Sequence, residues 1–167
     1  MASLKSFTDD LAGILGTSAA LLYERQRALV RDSILVPERE GRGPGNGVVA
    51  TPTSVALLLI AALSGNDLEG TSQRTAKLCI ASNGKRQFKG ALVCLLSEPD
   101  ARKTLKGIKI SQSSAWAQIH FARRRNLTVS ETFTTGEKRQ PPVRIVSEVD
   151  GVVFDKIALW LAAAKEV

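Results

Sequence analysis

Cysteine, histidine and aromatic residues are scarce in this chain. Two cysteines, Cys79 and Cys94, and one histidine, His120, stand among 167 residues. A structural zinc site needs about four such ligands, so these residues cannot build one. Neither cysteine belongs to a C-x-x-C pair. Each sits in an apolar setting, Leu-Cys79-Ile and Val-Cys94-Leu, and reads as a buried free thiol of a reducing compartment rather than half of a disulfide. Long apolar runs are missing too. The longest, Val55 to Leu63, is too short to span a bilayer. Met1 to Phe7 lacks the apolar core of a secretory leader. A cytoplasmic protein with no membrane partner is the expectation.

What is present is enough for a folded domain. Apolar residues make up 44% of the chain, which excludes a fully disordered protein. The net charge is +7, and the isoelectric point is near 9.8. A nucleic acid or another anionic partner is therefore plausible, although charge alone is weak evidence. The charge is also unevenly placed. Residues 1–65 hold six Lys/Arg and six Asp/Glu, whereas 66–167 hold seventeen and ten. All of the excess lies in the second part.

Phe7 to Leu15 has helical spacing in Phe7, Leu11, Ile14 and Leu15, with Ser6 or Thr8 as its cap and Asp9 and Asp10 in its first turn. Gly16-Thr17-Ser18 ends it: Gly16 suits a left-handed stop and Ser18 caps the next helix, Ala19 to Asp32. Leu22 and Leu29 are that helix's inward anchors. Ile34 to Val36 and Val48 to Ala50 are β-type runs. They flank a stretch, residues 38–47, rich in glycine and carrying Arg39 and Arg42, and together they read as a hairpin with a projecting loop. Thr51-Pro52-Thr53-Ser54 then opens a helix from Val55 to Leu63.

The second part reads as helices over Thr71 to Ala81 and Phe88 to Leu96, with a short one possible from Pro99 to Leu105. The period then switches to alternation at Ile108, Ala115 to Phe121, Leu127 to Phe133 and Val143 to Val146. About four antiparallel strands with one wet face are expected. Asp150-Gly151 leads into a last helix, Val153 to Ala164. The fold class is therefore α+β, with two regions, 1–65 and 66–167. The second is a candidate for dimerisation or for a further DNA contact.

Leu11 to Ser18 followed by Ala19 to Leu22 resembles a helix-turn-helix. Small Ala12 lets two helices approach, and Leu15 and Leu22 fill the angle between them. Leu29-Val30-Arg31-Asp32-Ser33-Ile34-Leu35 and the glycine-rich stretch extend the likeness to the winged helix-turn-helix family of bacterial and phage regulators, over Ser6 to Leu63. Two positions depart from that pattern: Ser33 stands where the family has glycine, and Gln26 where it has an apolar anchor.

The resemblance implies a partner, double-stranded DNA, and a role for each residue. Ala19, Ala20, Tyr23, Glu24 and Arg27 would face the major groove. Arg27 would donate to a guanine edge, worth about 1–3 kcal/mol of discrimination, and Glu24 would accept from a cytosine amine. Ser18 and Tyr23 suit phosphate. Arg39, Arg42 and Asn46 belong to the wing, with the two arginines directed to a minor groove. Arg25 and the run Arg123-Arg124-Arg125 are candidates for backbone contacts. Blander readings stand beside these: a solvated helix face at 23–27, a linker at 38–47 and a solvated turn at 123–125. A nucleotide-binding loop is disfavoured, since no helix follows the glycines directly and no Gly-Lys-Ser/Thr is present.

No nucleophile has a base partner by motif, and His120 reads as a strand residue rather than a general base. No catalytic site, metal or cofactor is expected. The layout also looks like that of short DNA-binding proteins of phages and prophages. A homodimeric transcriptional regulator is the leading expectation. The rivals are a DNA-packaging adaptor resembling a small terminase subunit, a partition adaptor, and a protein-protein interaction module on the same scaffold.

Overall fold

The computed structural model describes residues 3–37, 47–65, 68–123, 127–136 and 145–164. It is α+β, as its sequence periods indicate. Three helices come first: α1 (Leu4–Leu15), α2 (Ala19–Arg31) and α3 (Pro52–Leu63). Then come α4 (Thr71–Ile80), α5 (Phe88–Ser97) and a single turn, α6 (Pro99–Arg102). Four strands and a last helix close the chain: β1 (Leu105–Ser111), β2 (Trp116–Arg123), β3 (Leu127–Thr134), β4 (Val146–Asp150) and α7 (Gly151–Ala163).

Helix α1 begins earlier than its apolar spacing suggests. Ser3 is its cap, accepting from the Ser6 N–H at 3.1 Å. Thr8 is buried and its hydroxyl donates to the Leu4 carbonyl. Asp9 and Asp10 consequently lie beyond the first turn and are solvated. The stop at Gly16 is as expected, with φ 65° and ψ 32°. Ser18 accepts from the Leu21 N–H at 3.2 Å and starts α2. Ala12, Leu22 and Leu29 are buried between the helices.

Ser33, after α2, is the one non-glycine residue with positive φ among those described, at 58°. A left-handed residue there explains why the resembled pattern has glycine at this position. The N–H groups of Ile34 and Leu35 both fold back onto the Leu29 carbonyl. Residues 34–36 therefore form no strand. Val49 bridges Ser3 instead, and the Leu4 N–H donates to Val48 O at 2.7 Å. The two-stranded stem expected for a hairpin is thus absent among the described residues. The α2 terminus and the α1 start take its backbone partners.

Helix α3 is locked at its start by reciprocal bonds between Thr51 and Ser54, with Pro52 in the first turn. Every residue from Ser54 to Ala61 is buried. Such a helix must be covered on all sides, and α2, α4, α5 and β1 surround it.

The strands form an antiparallel sheet in the order β3-β2-β1-β4. Ile108, Ile110, Ala117, Ile119, Phe133 and Val149 are buried on the face toward the helices. Lys109, Gln118, His120, Ser130 and Thr132 alternate onto the other face. Phe133 meets Phe88 of α5 at 5.3 Å between ring centroids, and Phe7 of α1 meets Trp160 of α7 at 4.3 Å. One apolar cluster runs from α1 to α7, through residues of both 1–65 and 66–167. Phe154, Ile157 and Leu161, whose apolar face on α7 also suits a dimer contact, are consumed by this core. Strand β4 meets α7 without a loop, and only glycine fits at the junction: a Cβ on Gly151 would lie 2.2 Å from the Leu105 carbonyl oxygen. Among the described residues no helix is long and apolar enough to cross a membrane.

Candidate nucleic-acid interface

Helix α2 presents two different sides. Leu22, Arg25, Gln26, Ala28 and Leu29 are buried. Ala20, Arg27 and Arg31 are exposed, and Tyr23, Glu24 and Val30 are half-buried. Ala20, Glu24, Arg27 and Arg31 recur at helical spacing, so they form one outward stripe. Ser18 is exposed at its start, with its hydroxyl engaged as the cap, and Ala19 is half-buried.

Along this stripe runs a cleft of about 590 Å³. Among the described residues, its cationic lining residues are Lys5, Arg27 and Arg31, and its one acid is Glu24. The described part of the lining is therefore net positive, although residues 1–65 as a whole are neutral. The Lys5 ammonium stands 5.4 Å from the centre of the Tyr23 ring, within cation–π range. Arg27 donates to the Glu24 carboxylate at 2.9 Å. That pair is solvated, so it is weak and exchangeable. Pro37 and Gly47, which bracket the glycine-rich stretch, line the same cleft. Gln26 is 7% exposed and also lines it, and its Oε1 has no hydrogen-bond partner among the described groups.

The α2 stripe thus brings together Ala20, Tyr23, Glu24 and Arg27, with Ser18 and Ala19 at its start. Arg25 is a correction. It is 1% exposed, and its guanidinium donates to the carbonyls of Ala61 and Gly65 at the end of α3. It caps a neighbouring helix where the dipole is negative, and no DNA phosphate can reach it. Arg123 is exposed at the end of β2, paired in register with Leu127. Arg39, Arg42, Asn46, Arg124 and Arg125 lie outside the described residues.

Two cations of the cleft, Arg31 and Lys5, were not singled out from the sequence, and only Arg31 had a signal there. Arg31 is four residues from Arg27, hence on the same helix face. Lys5 enters because α1 starts at Leu4, before the apolar spacing that marks the helix.

The remaining titratable groups are dispersed. Burial pushes the Cys79 thiol up to about 11. Burial, followed by the neighbouring Glu98, also raises that of half-buried Cys94. Both thiols are free. Asp32 is held below the usual carboxylate range, first by the neighbouring Ser72 hydroxyl and then by Arg31, with desolvation opposing. His120 is a strand residue, and its Nδ1 meets the Ser130 hydroxyl at 2.8 Å across β2 and β3.

No protein-family model, curated protein or solved structure matches this chain.

Proposed function

We propose that this chain binds double-stranded DNA, with α2 as the reading helix in a major groove. The carrying observation is the outward stripe of α2. It holds Ala20, Glu24, Arg27 and Arg31 beside a cleft whose lining, among the described residues, is three cations to one acid, with both flanks of the glycine- and arginine-bearing stretch at its edge.

The helix suits that task. Its small first residues, Ala19 and Ala20, let its N-terminus come close to base edges. The solvated Arg27–Glu24 pair opens easily, and both side chains have base-edge partners, guanine for Arg27 and cytosine for Glu24. Lys5 and Arg31 flank the stripe and serve phosphates on either side. Helix α3, held to α2 by Arg25, keeps the reader rigid. The biological role that fits best is a bacterial or phage transcriptional regulator. A packaging adaptor uses the same reader, but as a ring of many copies.

An anisotropy titration against a selected duplex tests this reading. Arg27→Ala lowers specific affinity by about 10- to 100-fold, equivalent to about 1–3 kcal/mol, and relaxes preference at one base pair. Arg31→Ala weakens all sequences alike and reduces the slope of log affinity against log salt by about 1. Unchanged affinity in both variants removes α2 from the interface.

A further inference from the structure

The sheet has two edges, and they are built differently. On the β3 edge, the backbone N–H and C=O of Thr134 bond Ser82 at 3.1 and 2.9 Å, away from β2. In antiparallel pairing, alternate residues turn their polar groups to opposite neighbours. Thr132, Ser130 and Thr128 therefore point theirs outward as well. No described backbone group bonds them. Leu127 and Val129 on the same strand are 62% and 41% exposed.

Exposed edges are normally blunted by proline, lysine or short length. Strand β3 spans eight residues and has neither residue type. Its one charge, Glu131, is neutralised by Arg86 at 2.9 Å. Strand β4 spans five residues and carries Glu148 and Asp150. In a chain of net charge +7, β3 together with Arg86, which holds its one carboxylate, carries no net charge.

We propose that two copies of this chain join through β3, antiparallel and edge to edge, with the two-fold axis at Ser130. The strand is its own complement. Three outward residues place the axis on the middle one, so Ser130 faces Ser130 of the second copy and Thr128 faces Thr132. Hydroxyl pairs of this kind are favourable across strands. Val129 then lies against the stem of the second copy's Glu131, whose charge Arg86 already holds. The bond between Ser82 and Thr134 ends the joint ladder and fixes its register.

Sedimentation equilibrium of the full chain, without DNA, over roughly two decades of micromolar concentration, tests the pairing. Wild type gives a dimer of the 17.9 kDa chain. Ser130→Pro removes an outward N–H that the monomer does not use and weakens the dimer at least tenfold. Val129→Glu does the same by setting a carboxylate directly opposite the second copy's Glu131, and serves if the proline variant loses its circular dichroism. Ser130→Cys forms an oxidised dimer that wild type does not, because facing Cα atoms of a hydrogen-bonded pair lie about 5.5 Å apart. A wild-type monomer overturns the proposal. So does a dimer indifferent to both variants. Slow amide exchange at Thr128, Ser130 and Thr132 in a monomer would show the edge covered within one chain. None of these readings depends on DNA binding.

Discussion

Helices α2 and α3 are neighbours of nearly equal length, 13 and 12 residues, with opposite designs. Helix α3 is apolar all round and buried from Ser54 to Ala61. Helix α2 buries one stripe and leaves the other, with Glu24, Arg27 and Arg31, to solvent. One arginine crosses between the designs: Arg25 leaves α2 inward to bond the carbonyls that end α3. The contrast separates scaffold from outward surface. A side chain's charge does not say which it serves; its phase on the helix does.

Substitutions that break the scaffold have the largest expected effects. Leu58→Ala, at a fully buried site in α3, lowers unfolding free energy by about 2–5 kcal/mol in urea titration. Arg25→Ala costs about 3 kcal/mol by the same measure, because it strands buried carbonyls and opens a cavity. A loss as small as that of a surface arginine would return Arg25 to the solvated face. Ser33→Gly relieves a left-handed residue and raises stability by about 1 kcal/mol. A loss instead would mean that the Ser33 side chain holds the exit of α2. Arg31→Ala, on the outward stripe, shifts stability by no more than about 0.5 kcal/mol, while weakening DNA affinity as described above.

The helices, the turn and three of the strands were legible because their signals are local, whereas the fourth strand, expected over Val143 to Val146, lies at Val146–Asp150. Gly16 and Ser18 announce the break between α1 and α2, and alternation announces β1 to β3. The helical phase also contained the fate of Arg25. It lies three residues after Leu22 and four before Leu29, on the inward stripe, and only its charge suggested solvent. The partner of Val49 was not legible. A β-type run announces extended backbone but not its mate, and the mate, Ser3, is distant in sequence. The outward phase of Ser130 on β3 depends likewise on Ser82, which no local pattern connects to β3. The cleft beside α2 was half legible: Arg27 was marked by its helix, whereas Lys5 and Leu68 arrive only through tertiary packing.

The central claim is that the outward stripe of α2 reads a DNA sequence. Selection of bound duplexes from a random pool, sequenced in parallel for wild type and Arg27→Ala, tests it most directly. The account predicts an enriched motif for wild type that loses preference at one base pair in the variant. Recovery of a salt-sensitive background with no enriched motif, or of the same motif from both proteins, would contradict it.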